Sequence, residues 1–290
     1  MAADTLNEGT RAMSLNSVNT NAGALVALES LNATNAQLNT TQNRISTGLK
    51  VASATDNGAT WAVAQNERAT VGALSSVQDS LNRGISTADV AVSAGQTISD
   101  LLNQMKAKAL AATDSTATSS DITNYANDFT ALRNQIAKIV STSDFNGSNM
   151  IKSGGTSVMA LASASGTIKV TVAAVSLAFG VTGGITLTAG ATFSSSATAS
   201  ATLALVNASI TNVNAAVAKL GTGVNALQSQ LSFVQTQSDT LTTGIGNLVD
   251  ADVAKESANL TALQTKQQLG AQALAIANSS SSHLLTLFQG

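Results

Sequence analysis

The sequence has no cysteine, no proline and a single histidine, and only 3% of its 290 residues are aromatic. Without cysteine there is no disulfide scaffold, no thiolate nucleophile, no Cys-ligated zinc and no iron–sulfur cluster. The one histidine, His283, lies in a Ser-rich tail near the end of the chain. That is a poor place for the rigid base of a Ser-His-Asp relay. An average chain of this length carries about 14 prolines, so their absence leaves long helices without an internal breaker. Charge is scarce as well, with 14 Lys and Arg against 16 Asp and Glu. No basic cluster exceeds Lys106 with Lys108, and the electrostatic footprint of a nucleic-acid binder is missing.

Targeting features are also lacking. The opening run MAADTLNEGTRAM holds Asp4 and Glu8 and no apolar stretch, unlike a secretory signal peptide. The longest uncharged run suited to a membrane is 170–193, but it is broken at Gly180, Gly183, Gly184 and Gly190. A spanning helix needs about 20 predominantly apolar residues, and this run reads better as short strands with glycine turns. No membrane span is expected.

What the sequence does have is Ser, Thr, Asn and Gln, which make up over a third of it, together with 44% hydrophobic residues in periodic runs. That hydrophobic share can bury a core, so the chain does not read as disordered. Charge separates the middle from the ends. No acidic residue lies between Asp144 and Asp239, and Lys169 is the only charge from Ser153 to Ala218. Within that stretch IKVTVAAVSLAFGV and GITLTAGATF have the Val, Thr and Gly content of strands and turns. The flanks are Ala-, Leu- and amide-rich, giving a layout of two helical segments, a small β insert and two more helical segments.

Apolar residues in these flanks recur at alternating spacings of four and three, which keeps a stripe on one helix face over many turns. The first series is Ala24, Leu28, Leu31, Asn35, Leu38, Gln42 and Ile45. The second is Leu74, Gln78, Leu81, Ile85, Ala88, Val92, Gly95, Ser99, Leu102, Lys106 and Ala109. The third is Val249, Val253, Glu256, Leu260, Leu263, Gln267, Gly270, Leu274 and Ala277. Packing inside a globular bundle would leave the same pattern. The polar side is the distinguishing feature: NATNAQLNTTQNR has one charge in 13 residues, where a solvated helix normally mixes Lys, Glu and Arg. Amides both donate and accept, so such a face can be buried against copies of itself. The two ends share this character, which implies that they pair with each other and then with neighbouring molecules.

Candidate chemistry is thin. Asp250, Asp252, Lys255 and Glu256 form the densest charge cluster, but residues two apart do not share a helix face and no histidine completes a metal site. Their expected role is in structural or assembly contacts. Trp61 reads as a core or interface anchor. The Asn-x-Ser/Thr triplets are chance matches in so hydroxyl-rich a chain, and no glycine-rich phosphate loop is present. No catalytic residue, cofactor site or metal site is expected, and the chain is not read as an enzyme.

The two ends carry recognisable motifs. Ser14-Leu15-Asn16-Ser17-Val18-Asn19-Thr20-Asn21, then Gln42-Asn43-Arg44-Ile45-Ser46-Thr47-Gly48-Leu49-Lys50-Val51 and Ala54-Thr55-Asp56-Asn57-Gly58-Ala59, resemble the N-terminal region of bacterial flagellins. The run Asp250-Ala251-Asp252-Val253-Ala254-Lys255-Glu256-Ser257-Ala258-Asn259-Leu260, with Gln267-Gln268-Leu269-Gly270 and the closing Leu284-Leu285-Thr286-Leu287-Phe288, resembles the family's other end. TISDLLNQMKAKALAATD is similar to alphaproteobacterial members. The family pattern begins near Met13.

The resemblance implies a mainly α fold with a small β insert, in which long antiparallel helices form inner and middle coiled-coil layers. It implies residues 1–12 as an N-terminal extension and 13–50 as a terminal helix of the inner layer. Residues 51–150 and 201–245 would be the two halves of a helical core, 151–200 a β-rich outward-facing insert, and 246–290 the C-terminal inner helix. The implied function is a structural subunit that self-assembles into the flagellar filament for motility. It would lie outside the cell after export without a cleaved signal. Its partners would be other copies, an export chaperone, the export apparatus, and hook-associated and cap proteins, with no nucleic acid. The assembly residues expected are Leu28, Leu31, Leu38, Ile45, Val249, Val253, Leu260, Leu263 and Leu274, with Leu284, Leu285, Leu287 and Phe288. Two other readings stay open on the residues. One is a hook-filament junction protein; the other is a cell-surface protein that captures a polysaccharide through Ser194, Ser195, Ser196, Thr198, Phe179 and Phe193.

Overall fold

The computed structural model describes residues 20–288, with side chains to residue 279. Five helices are present among them: α1 (Ala22–Thr47), α2 (Gly58–Ala111), α3 (Ser119–Thr142), α4 (Ser196–Val249) and α5 (Val253–Phe288). Between α3 and α4 lie β1 (Val158–Leu161) and β2 (Lys169–Val172), an antiparallel hairpin that pairs Val158 with Val172 and Leu161 with Lys169. The fold is mainly α with a small β element. Helix boundaries follow capping chemistry rather than proline. The Asn21 side chain accepts from the Ala24 amide at 3.0 Å to start α1. Gly48 ends it in the left-handed region at φ 71°, its N–H donating to Arg44 O at 2.9 Å, as a Cβ-free residue does without strain. At α3, Thr118 and Asp121 cap each other reciprocally.

The chain divides into two compact units, one drawn from the chain up to Glu67 and from Thr243 on, the other Arg68–Thr242. In the second, α2 buries Leu74, Val77, Leu81, Ala88, Ala91, Ile98, Leu102, Met105 and Ala109, a stripe that keeps the expected seven-residue repeat. Of the expected positions, Gln78, Ile85, Val92 and Ser99 are only half-buried and Lys106 is exposed. The buried alternates lie one residue earlier, which places the stripe's second edge on Val77, Gly84, Ala91, Ile98 and Met105. Phe129 of α3 and Val206, Val213, Leu220 and Leu227 of α4 belong to the same core. By length and composition α4 could cross a membrane, but these side chains are buried inside the unit.

The insert departs from expectation in a specific way. Only two four-residue segments are strands. GITLTAGATF, expected as strand and turn, is irregular apart from a single bridge between Ile185 and Phe179, and it buries Ile185, Leu187 and Phe193 in the helical core. Its backbone is satisfied by the Gly180 amide, which donates to Ile185 O and Leu187 O at 2.8 and 2.7 Å, and by α4 side chains, with no strand ladder. The Thr186 amide donates to Ser209 Oγ at 3.1 Å, and Asn212 Nδ2 donates to Gly184 O at 3.1 Å. Val and Thr suit any half-buried extended segment, so composition alone did not distinguish pairing with a strand from packing on a helix. The insert therefore helps to complete this core, and α4 begins at Ser196, inside the stretch expected to be β-rich.

Candidate functional site

In the first unit α1 and α5 run antiparallel, and polar contacts tie them at several heights. Asn21 Nδ2 donates to Ala277 O at 2.7 Å, Gln267 Nε2 to Asn35 Oδ1 at 2.7 Å, and Arg44 Nη1 to Glu256 Oε1 at 3.2 Å. Beyond the helix ends the backbone closes the pair. Lys50 and Val51 amides both donate to Val249 O, at 2.7 and 3.2 Å, and the Ala251 amide donates to Gly48 O at 2.9 Å. The Leu31 side chain packs against the α5 backbone at Gly270, where a Cβ would lie 3.3 Å from Leu31 Cδ1.

The residues expected from sequence divide into three groups. Leu38 and Val249 are buried, and Leu31, Ile45, Leu260, Leu263 and Leu274 are half-buried. Leu28 and Val253 are exposed, at 43% and 49%; they lie outside the seam that α1 and α5 share. The side chains of Leu284, Leu285, Leu287 and Phe288, and His283, lie outside the described residues, as does the motif from Ser14 to Asn19. Sequence reasoning missed Thr34 and Thr41, which are buried in the seam at 3% and 6%. Their seven-residue separation was visible, but a search for apolar residues passes over threonine. Thr34 returns its hydroxyl to Ser30 O at 2.8 Å, so no polar group is stranded.

The charge cluster resolves into structural roles. Asp252 Oδ1 accepts from the Lys255 amide at 3.0 Å, which caps α5. Glu256, 9% exposed, is answered by Arg44, the Arg of the N-terminal motif. In the turn after α1, the Ser53 amide and hydroxyl, then the Ala52 amide, hold the Asp56 carboxyl below its ordinary range; Arg44 adds to this. No group of three or more His, Cys, Asp or Glu among the described residues could hold a metal. Trp61 is half-buried. The sugar-capturing constellation does not assemble. Phe193 is buried edge-on against Phe129 with centroids 5.3 Å apart, and Thr198 Oγ1 accepts from the Ser194 and Ser195 amides at the start of α4.

One side of the α1–α5 pair carries a groove of about 600 Å³, lined in part by Ala36, Gln37, Thr40, Asn259, Ala262 and Leu263. Exposed apolar side chains flank the pair: Leu25, Val26 and Leu28 on α1, Val253, Leu269 and Ile276 on α5. The pair thus fills its own seam with amides, threonines and a few leucines and leaves larger apolar side chains in water. An apolar surface rimmed by polar groups marks an interaction site.

Comparison with known proteins agrees with this arrangement. Residues 18–156 match the bacterial flagellin N-terminal helical region, and residues 203–288 the bacterial flagellin C-terminal helical region. The chain is 48% identical to flagellin FljM of Caulobacter vibrioides, covering 96% of this chain and 100% of that protein. It is 37% identical to a flagellin of Brucella melitensis, covering 94% and 99%. Bacillus cereus flagellin, as a crystal structure, aligns with a TM-score of 0.47 at 23% identity, over 53% of this chain and 88% of that one. Paired terminal helices and matches along nearly the whole chain lead to one conclusion: the chain belongs to the bacterial flagellin family, the structural subunits of the flagellar filament.

Proposed function

We propose that this chain builds its filament mainly through the α1–α5 pair, other copies covering the surface that the pair leaves open. The observation that carries this reading is the contrast between a filled seam and exposed flanks. Val26, Leu269 and Ile276 are 66%, 59% and 69% exposed, although neighbouring turns of the same helices hold buried or half-buried positions. Burial of apolar side chains contributes about 1.5–3 kcal/mol each, and repeated at every subunit this favours a polymer strongly. Leu28 and Val253 keep their place as assembly residues on this reading, as flank residues rather than seam residues, and Leu284, Leu285, Leu287 and Phe288 extend the same helix. The polymer lies outside the cell. An export apparatus, an export chaperone, and hook-associated and cap proteins complete the partners, and no catalytic step is required.

The test is seeded polymerisation followed by electron microscopy. Leu263 is half-buried and lines the groove. A carboxylate there would become an unpaired charge in a closed interface, which costs several kcal/mol. Leu263→Asp should remain soluble, keep most of the cooperative melting transition, and fail to elongate seeds. Normal elongation by this variant would show that the pair is not the assembly surface.

A further inference from the structure

Asn146 is the one non-glycine residue with a left-handed backbone among the described residues, at φ 50°, and Gly147 follows it at φ 76°. Together they make a two-residue turn after α3. It is closed by the Phe145 amide donating to Ser148 O and the Ser148 amide donating to Phe145 O, both at 3.0 Å. Asn-Gly suits such a turn because both central positions need positive φ. Both residues are exposed, and a Cβ at Gly147 would meet nothing within 4 Å. Neither the Asn146 carboxamide nor the Gly147 amide has a hydrogen-bond partner among the described residues. The same dipeptide occurs at Asn57–Gly58 in a different setting. There Asn57 Oδ1 accepts from the Thr60 amide at 3.0 Å and the Asn57 carbonyl accepts from the Trp61 amide at 2.9 Å. The residue caps α2, and its carboxamide is held against the helix. Other asparagines followed by a small residue, such as Asn207 and Asn278, lie inside α4 and α5, where hydrogen bonds one turn back fix the backbone.

We infer that Asn146–Gly147 is a site of spontaneous deamidation in this chain, and that the helix cap protects Asn57–Gly58 from the same reaction. Hydroxide removes the Gly147 amide proton, and the nitrogen attacks Asn146 Cγ to close a succinimide ring. The side-chain nitrogen leaves as ammonia, its third proton returned through solvent. Water then opens either carbonyl of the ring and leaves aspartate or isoaspartate, so one water enters and one ammonia departs. Glycine has no Cβ to obstruct the approach. The attack requires the Asn146 backbone to swing out of the turn, which breaks two hydrogen bonds of an exposed loop. At Asn57 it requires the cap and the first turn of α2 to open. The product alters a groove of about 290 Å³ that Asn146 lines together with Arg83, Phe145 and Ser148. The Arg83 side chain has no ion pair among the described residues, and a carboxylate at position 146 sets an opposite charge in the same groove. Isoaspartate also lengthens the backbone by a methylene and spoils the closure of the turn. The strain falls on buried Asn149, whose Nδ2 donates to Val140 O at 2.8 Å and whose Oδ1 accepts from the Ile151 and Lys152 amides at 2.9 Å.

The test incubates the folded full-length chain at mildly alkaline pH in heavy-oxygen water, then maps its peptides by mass spectrometry. An isoaspartyl methyltransferase serves as the probe for the isoaspartate form. The inference expects conversion at Asn146 to run about tenfold faster than at Asn57, a ratio of the size that one helix cap supplies. In strong denaturant, where neither turn nor cap survives, the two sites should convert at similar rates. Thr60→Pro removes the amide that donates to Asn57 at a helix position where proline is tolerated, and it should bring Asn57 toward the rate of Asn146. Equal rates at the two sites of the folded chain, faster conversion at Asn57, or no conversion at Asn146 would each overturn the inference. A Thr60→Pro chain whose Asn57 reacts no faster than the parent's would overturn the protective role of the cap.

Discussion

The seam of the α1–α5 pair and the core of the α2–α4 unit are built on the same alternating spacing of three and four, yet they are filled with different chemistry. The core takes Leu74, Leu81, Ile98, Leu102 and Phe129, all at 1% exposure or less. The seam takes Thr34, Thr41, Glu256, Asn35 and Gln267, and its leucines remain half-buried apart from Leu38. A large apolar interior is self-sufficient, because each side chain finds its contacts within one chain. A narrow polar seam specifies register through directional contacts and contributes less stability. The two regions teach that one repeat can encode either a finished fold or an unfinished surface, depending on what occupies its positions and what lies beside them.

The strongest way to break this contrast is to truncate each region by comparable amounts. Phe129→Ala removes a fully buried ring and its edge-on contact with Phe193, and should cost about 3–5 kcal/mol in chemical denaturation. Leu31→Ala, in the seam, should cost below about 2 kcal/mol, since its side chain is already half in water. Equal losses would erase the distinction between the two regions.

A smaller effect is expected where α2 and α4 meet at Gly95. A Cβ at Gly95 would lie 2.5 Å from Val217 Cγ2, and a β-branched side chain cannot swing aside easily. Gly95→Ala should therefore destabilise by about 1–2 kcal/mol, overpacking outweighing the gain in helix propensity. Adding Val217→Ala should recover most of that loss. A Gly95→Ala chain that melts higher than the parent would show that the packing yields.

The Arg44–Glu256 pair sharpens the description of the seam. Arg44 is about a third exposed and Glu256 nearly buried, so Arg44→Ala should cost about 1–2 kcal/mol. The loss should appear as faster amide exchange in α1 and α5 and leave α2 and α4 unchanged. The exchanged pair, Arg44→Glu with Glu256→Arg, should restore part of the protection. Exchange that rises equally in both units would contradict a local role.

The smallest expected effect is acid sensitivity. Hydrogen bonds from the Thr118 hydroxyl and amide hold Asp121 below its ordinary value, and those from the Thr116 amide and hydroxyl do the same for Asp114. A carboxyl whose folded value is depressed contributes stability that is present above its unfolded value and is lost as pH falls through the folded one. Melting temperature should decline below about pH 4, and Asp121→Asn should flatten part of that decline. An unchanged acid profile in Asp121→Asn would remove the cap from the account.

Much of the organisation is legible in the sequence. Absent proline and the seven-residue repeats mark the long helices, because nothing interrupts their hydrogen bonding and one face stays apolar. Paired end motifs reveal the family, because both ends of the chain must be read together. The insert was less legible. Its Val, Thr and Gly suit both a strand and an extended segment laid on a helix, and only the neighbouring Ser209 and Asn212 of α4 decide between them. Similarly, Glu256 read only as part of a charge cluster with Asp250, Asp252 and Lys255, because its partner Arg44 is separated from it by most of the chain.

What the sequence by itself determined is the four-three periodicity of the helical flanks and the paired motifs at the two ends. Both are consequences of residue type and spacing. Which residue of each repeat turns inward was left to tertiary packing. A four-three stripe is wide enough to include Leu28 or Thr34, and Gln78 or Val77, and the choice depends on the angle at which the partner helix crosses. That crossing places Thr34 in the seam and Leu28 in solvent, because the contact geometry of two helices is a property of both together and of neither alone.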